Sequence, residues 1–401
     1  MGIRIGMCGV GVFAECFIPL FKAHPDVENV VLCDLDAAKL RAKSEKFGIP
    51  DTSPSLDHLC TMDVDAIVII TQHHLHGPQA VQALRAGKHV YSAVPSALTL
   101  QEMTELVRMV ESTGRIYMVG ETSYYYPCAI YCRERYRRGD FGDIVYGEGE
   151  YYHDFSDQLV EVFQWRFGAE WRRYANWPPL YYPTHSVSMV VSVTGAHVTH
   201  VSALGVEDRD PDRLFHQPDP VHENHFSNET MLCRMSDGSV ARFNEFRRIG
   251  HPGTVRLSLF GTRGSYEQHT GAKVWVTRDP KELQDVTDEL AIRDIPAEGG
   301  GTFTGIARVH PVARLPRSFM GLPNDHLGSH QFLVDDFVRS CVTGIHPPNN
   351  VWRAARYLLP GLLGHESAMT EGVFLSVPDF GDGPVVTDPT SQWSPGRDTS
   401  G

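Results

Sequence analysis

The hydrophobic pattern changes character about a third of the way along the chain. Before that point, short runs that are apolar throughout alternate with helical stretches. The runs begin at Ile3, then come Val30 to Asp34, Val64 to Ile70, Lys88 to Tyr91 and Ile116 to Val119. A continuous apolar run suits a strand covered on both faces, as in a parallel sheet. Ala37 to Phe47, Pro78 to Ala86 and Thr99 to Thr113 read as helices, with Thr99 as N-cap and Glu102 three residues on. Beyond Tyr124 one helix, Cys128 to Arg138, leads into Ile144 to Asp154, and paired strands follow. Thr230 to Met235 and Val240 to Phe246 flank Ser236-Asp237-Gly238, and Val255 to Phe260 and Ser265 to Gln268 flank a second glycine-containing turn. Both pairs predict antiparallel hairpins.

The first run ends in a glycine turn, Gly9-Val10-Gly11-Val12-Phe13-Ala14, with a helix predicted from about Glu15. Strand, glycine turn and helix in that order form the dinucleotide fingerprint. The glycines allow a tight turn and close approach of backbone N–H groups to a pyrophosphate, and Ala14 is small enough for helix to pack on strand. The second strand ends in an acid, Asp34, about 20 residues on, where a ribose 2′-OH would be bound and a 2′-phosphate repelled. NAD is therefore expected as cofactor. The fold class predicted is α/β plus α+β: an N-terminal Rossmann doubly wound parallel sheet, then a C-terminal domain on a mostly antiparallel open sheet. The expected division is 1–123 for the NAD-binding domain, 124–378 for a substrate and oligomerisation domain, and 379–401 for a loosely ordered tail. Ligands of such sheets lie beyond the carboxyl ends of the strands. That places Thr71, His73 and His76, Pro95, and Glu121 beside the cofactor with Gly9, Gly11, Val12, Phe13 and Asp34.

Composition narrows the classes. A net charge of −13 argues against nucleic acid or an anionic membrane as partner, and no apolar run approaches a membrane span. With the first strand starting at Ile3, no signal peptide is expected. Eight scattered cysteines suit reduced thiols, so a cytoplasmic location is expected. His73, His74 and His76 have poor metal spacing with no acid or thiol near in sequence, and no metal is predicted. The Gly- and Pro-rich stretch Asp294 to Asp325 is long enough to cover a site or reach a neighbouring subunit.

For chemistry, the informative segment is Tyr181-Tyr182-Pro183-Thr184-His185-Ser186, just ahead of the apolar helix from Val187. A His and a Tyr at a helix start serve as an acid/base pair when within hydrogen-bond reach. The alternative is a structural His capping the helix. The loop after Tyr91, Ser92-Ala93-Val94-Pro95-Ser96-Ala97, contains no ionisable group, although sugar dehydrogenation commonly uses a lysine base. Lys88 belongs to the preceding strand and is expected to point elsewhere.

The whole chain resembles the Gfo/Idh/MocA oxidoreductases, through the glycine turn, Thr71 with His76, Gly87-Lys88-His89-Val90, and Gly139-Asp140-Phe141-Gly142-Asp143-Ile144. It departs from them at Ala93-Val94-Pro95, where that family has Glu-Lys-Pro, and at Ser188, where it has Asp. Both departures are similar to the NAD-dependent glycosidases of glycoside hydrolase family 109. The matches are Val94-Pro95-Ser96-Ala97, Glu121 with Tyr124, Glu148 to Asp154, and Tyr182-Pro183-Thr184-His185. Ala93 and Thr122 still differ from that branch. The resemblance implies hydrolysis by a redox route: C3 of the sugar is oxidised by NAD+, C2 is deprotonated, the aglycone leaves, water adds, and C3 is reduced again. It makes His185, Tyr182 and Tyr151 the expected catalytic groups, with Tyr124 and His153 lining the substrate and Glu121 on the nicotinamide side.

Arg166, Arg172, Arg173, Arg247 and Arg248 are interleaved or grouped with Trp165, Trp171 and Trp177, which is unusual in an acidic chain. Arginine forks beside aromatic walls suit an anionic sugar, and Arg166, Arg172, Arg173 and Arg247 are expected substrate contacts. Among NAD-dependent glycosidases, sulfoquinovosidases fit that expectation. A homodimer or homotetramer is expected, because an open sheet face commonly pairs with its copy. An ordinary NAD-dependent sugar dehydrogenase and a non-catalytic NAD sensor are the alternatives. Asp34→Ala should relax the preference for NAD over NADP in paired binding titrations. Unchanged discrimination would mean the ribose is read elsewhere.

Overall fold

The computed structural model describes residues 2–217, 220–297 and 299–384, without the side chains of 157 and 158. The described residues form two compact units. One is drawn from 1–127, 289–354 and the segment from 380, the other from 128–288 and 355–379. From residue 385 the expected tail lies outside the described residues.

In the first unit, β1 (Ile3–Cys8), β2 (Val27–Cys33), β3 (Thr52–Ser53), β4 (Ala66–Ile69), β5 (His89–Ser92) and β6 (Tyr117–Val119) form a six-stranded parallel sheet in the order β3-β2-β1-β4-β5-β6. Every residue of β4 is buried, as its unbroken apolar run requires. Helices α1 (Ile18–Ala23), α2 (Ala37–Phe47), α3 (Leu56–Thr61), α4 (His76–Arg85) and α5 (Leu100–Thr113) connect the strands. Thr99 Oγ1 accepts from Glu102 N at 3.1 Å, so α5 starts where its capping residues predict.

The helix after the glycine turn does not run continuously from Glu15. A 3₁₀ turn at Phe13–Cys16 comes first, and α1 starts only at Ile18. Pro19 is the cause. It offers no N–H to the carbonyl of Glu15 and its ring crowds the preceding turn, so it is tolerated only at the start of a new helix.

The second unit begins in α6 (Pro127–Arg137) and continues through β7 (Ile144–Tyr152), α7 (Val160–Phe167), α8 (Trp171–Tyr174), α9 (Thr184–Thr194), β8 (Val198–Glu207), β9 (Phe226–Met235), β10 (Val240–Phe246), β11 (Thr254–Gly261), β12 (Gly264–Gln268), β13 (Lys273–Thr277) and β14 (Gln284–Asp285). The first unit then takes up β15 (Arg293–Pro296), β16 (Thr302–Ile306), α10 (Asp325–Gly328) and α11 (His330–Thr343), before α12 (Val351–Met369) and β17 (Leu375–Ser376). The second sheet runs β14-β13-β12-β11-β7-β10-β9-β8-β17, antiparallel except where β7 meets β10. Both predicted hairpins are present in register. In β9 the odd-numbered residues from Ser227 to Met235 are buried, and the even-numbered ones are more exposed. The period of two therefore decides which side chains reach the core.

The long Gly- and Pro-rich stretch has structure of its own. It contains the β15–β16 hairpin and is fastened at Arg314, whose guanidinium pairs with Asp336 on α11 at 2.6 Å and donates to Tyr125 Oη at 3.0 Å.

A half-buried, neutral histidine makes the first unit sensitive to acid. Burial, reinforced by Arg115, lowers the pKa of His89 to about 4, and its Nδ1 accepts from Ile116 N at 2.9 Å. The folded value lies below the unfolded one, so this contribution is complete above pH 6.5 and is lost as pH falls from there towards 4. It is worth about 2 to 3 kcal/mol. His89→Gln, compared with wild type by urea unfolding at pH 7 and pH 4.5, should show a smaller loss on acidification. An equal loss would remove His89 as the cause.

Candidate functional site

At the carboxyl edge of the first sheet the glycine turn closes on its neighbours. Gly9 has φ +90°, and a Cβ there would sit 2.2 Å from the carbonyl oxygen of Ile70. Asp34 fastens the same turn: Oδ2 accepts from Val10 N at 3.1 Å and Oδ1 from Asp36 N at 2.9 Å. Gly11 is half-buried, Val12 is exposed, and Phe13 packs edge-on against Phe17 at 5.3 Å. A backbone bed that only glycine permits, with a carboxylate at the end of β2, fits an NAD pyrophosphate and ribose.

The other predicted cofactor residues are held in adjoining loops. Thr71 donates to Gln79 Oε1 at 2.6 Å. The ring of His76 is buried, with Nδ1 2.9 Å from Pro95 O and Nε2 3.1 Å from Thr71 O, so it joins the loops after β4 and β5. Pro95 follows a cis peptide bond, and His73 lies edge-on to His76 at 5.9 Å. Glu121 is buried: Oε1 accepts from Ser123 N at 2.8 Å, and its carbonyl accepts from Asn349 Nδ2 at 3.1 Å. Tyr124 meets Tyr125 edge-on at 4.9 Å. Ser92 to Ala97 are all buried, and Lys88 Nζ donates to Met62 O and Val64 O at 3.0 and 2.9 Å.

The second unit brings Tyr151, Tyr182 and His185 together. Tyr151, Glu245 and Glu229 lie side by side across β7, β10 and β9. The segment from Pro179 to Ser186 is bound to this row. Glu229 Oε2 accepts from Leu180 N at 2.8 Å, and Glu245 Oε1 from Ser186 Oγ at 2.5 Å. Gly149 lets α9 approach, since a Cβ there would lie 2.2 Å from Ser186 O. His185 consequently meets the rings of Tyr151 and Tyr182 edge-on, each at 5.3 Å. Tyr151 Oη lies 2.9 Å from His153 Nδ1. Its neighbour Tyr152 stacks on Phe246 and bonds with Arg256, on the opposite face of β7. His185 makes no cap: the N-cap of α9 is Pro183, without a side-chain bond. Two phenols and an imidazole in contact form a group able to move protons.

Residues 3–121 match the family model described as oxidoreductase family, NAD-binding Rossmann fold, of Gfo/Idh/MocA type. Residues 3–121 are an NAD-binding Rossmann domain. Over 403 residues the chain is 26% identical to a glycosyl hydrolase family 109 protein of Streptomyces filamentosus, covering 94% of this chain and 77% of that one. A glycosyl hydrolase family 109 protein of a Shewanella species (strain ANA-3) is 32% identical over 201 residues, 47% of this chain and 43% of its own length. Among solved structures, levoglucosan dehydrogenase in complex with NADH and levoglucosan superposes with a TM-score of 0.73 at 18% identity, covering 94% of this chain and all of that one. That likeness establishes the fold beyond the NAD-binding domain.

The arginines expected around the substrate are dispersed in role. Arg173 pairs with Glu170 at 3.2 Å near the surface, and exposed Arg172 lies over the ring of Trp171. Arg248 pairs with Asp212, while Arg247 pairs with Glu245 at 3.2 Å and lies 4.9 Å over the ring of Tyr151. Arg166 is half-buried near the proton-moving group. Burial lowers its pKa, against the favourable influence of the Tyr182 and Tyr151 oxygens. An open groove of about 520 Å³ lined by Arg135, Arg263, Trp275 and Lys281 shares no residue with that group.

Sequence reasoning missed Glu229 and Glu245, although a signal was present. Both occupy inward positions of alternating strands, Ser227-x-Glu229-x-Met231 and Ala241-x-Phe243-x-Glu245, where an acid is out of pattern. Each is fully buried. A double-mutant cycle of Glu245→Gln with Ser186→Ala, measured by urea unfolding, should show a coupling of about 1 kcal/mol or more. Additive effects would mean the short contact carries no weight.

Proposed function

We propose that the protein is an NAD-dependent exo-glycosidase that cleaves a glycoside through transient oxidation at C3. The observation that carries this reading is the contact group His185, Tyr151 and Tyr182 on a row of buried carboxylates, in a chain whose post-β5 loop has no lysine base. Similarity to proteins named glycosyl hydrolase family 109 supports it. When bound, NAD supplies a reversible acceptor for the C3 hydride. His185 and Tyr182 are the acid/base groups, moving the C2 proton and the proton needed by the departing oxygen. Tyr151, with its hydroxyl against His153, completes the group, and Arg247 over its ring holds that ring in place. We assign Arg166, near the Tyr182 and Tyr151 oxygens, to an anionic group on the sugar, with sulfoquinovose as the specific candidate.

A sugar dehydrogenase using His185 as base is the second reading, favoured by the fold of levoglucosan dehydrogenase. Leu204, Val206, Leu232 and Val240 are exposed on the sheet face opposite Glu229 and Glu245, which supports a homodimer or homotetramer through that face. Eight free cysteines suit a cytoplasmic location. No described helix is long and apolar enough to cross a membrane.

The decisive assay offers anionic and neutral p-nitrophenyl glycosides with NAD+. The glycosidase releases p-nitrophenol without net NADH and incorporates solvent deuterium at C2. His185→Ala should keep NAD binding and lose turnover by a factor of about 100 or more. Stoichiometric NADH with free sugar would establish the dehydrogenase instead, and equal cleavage of a 3-deoxy glycoside would overturn the redox route.

A further inference from the structure

Within the first unit, three side chains of different chemistry converge beside the glycine turn. Cys16 ends the 3₁₀ turn that follows it, Asp325 opens α10 and His330 opens α11. One ligand atom from each, Sγ, a carboxylate oxygen and a ring nitrogen, lies within 4.8 Å of the other two. His330 is fully buried, yet neither Nδ1 nor Nε2 has a hydrogen-bond partner among the described residues. That is costly for an imidazole, because a buried polar group without a partner has given up its hydrogen bonds to water. Aromatic rings surround it instead, with Phe17 at 4.4 Å, His326 at 4.8 Å and Phe13 at 5.8 Å.

Asp325 stands within hydrogen-bonding reach of the Cys16 thiol, so thiol and carboxylate already face one another beside the imidazole. A divalent ion gives the imidazole the partner it lacks and takes the thiolate and the carboxylate as its other ligands. We infer that Cys16, Asp325 and His330 form a site for a borderline-soft divalent cation of the zinc class. Thiolate with imidazole selects zinc-like ions over magnesium or calcium, which take oxygen ligands. With bonds of about 2.0 to 2.3 Å, tetrahedral ligand atoms lie roughly 3.3 to 3.8 Å apart, so a small closure of the present group suffices. Cys16 is half-buried and Asp325 is exposed, so the fourth position is open to water. Binding releases the Cys16 proton to solvent, and it ties the turn that follows the dinucleotide bed to the start of α11. The cysteine and the two later residues are more than 300 positions apart, which hides the site from any local motif.

The test uses the full chain after dialysis against a chelator. Co2+ should bind with one equivalent and produce a near-ultraviolet sulfur-to-cobalt charge-transfer band, and Zn2+ should displace it. Cys16→Ser should abolish the band, whereas Cys341→Ser, at another half-buried thiol, should leave it. His330→Gln should weaken Co2+ binding by about tenfold or more, with the melting curve confirming that the variant is folded. A featureless Co2+ spectrum, or a band that survives Cys16→Ser, overturns the assignment.

Discussion

The second unit depends on two carboxylates buried beneath a short segment of chain. Glu229 and Glu245 face each other across β9 and β10 and grip Pro179–Ser186 at its two ends, through Leu180 N and Ser186 Oγ. Burying a charge is expensive unless it is paired and hydrogen-bonded. Here Arg247 pairs with Glu245, and His365 Nδ1 lies 2.7 Å from Glu229 Oε1. The same bonds that make these acids tolerable in the core leave the rings of Tyr182 and His185 little choice of position. A loop held only by its own turn chemistry would not keep two ionisable side chains in contact with a third on a neighbouring strand.

The first unit meets an analogous demand with a different arrangement. Tyr125, Arg314, Asp335 and Asp336 form a buried polar network, extended by Arg339 and His24. Burial raises the Asp336 carboxyl, while the bonds from His24, Arg314 and Arg339 hold Asp335 below the usual carboxylate range. The network anchors the long stretch before α11 and so determines where Asp325 and His330 come to rest. The dinucleotide turn and residues 289–354 are thereby parts of one packed unit, although most of the chain separates them.

The arginine-rich segment is largely matched within the protein. Arg173, Arg247 and Arg248 each have an acid partner, and a guanidinium already matched to a carboxylate has little left for a ligand. Arg166 is half-buried near the Tyr182 and Tyr151 oxygens.

The parallel sheet, the glycine turn with Asp34, both hairpins and the placing of Tyr182 and His185 at a helix start were legible in the sequence. These follow from short-range rules: apolar periodicity, turn residues and fixed spacings within a few dozen positions. Alternation along β7 put Tyr151 and Tyr152 on opposite faces, but the period alone does not say which face meets His185. Only the tertiary structure decided the rest. Pro19 divides a helix that periodicity would continue, and the partners of Arg247 and His76 are backbone and side-chain atoms from other elements. The carboxylate row and the Cys16, Asp325 and His330 group arise from strand register and chain return. The Cys16, Asp325 and His330 group leaves no local signature, because contacts between residues hundreds of positions apart are set by packing, not by the pattern of any one segment.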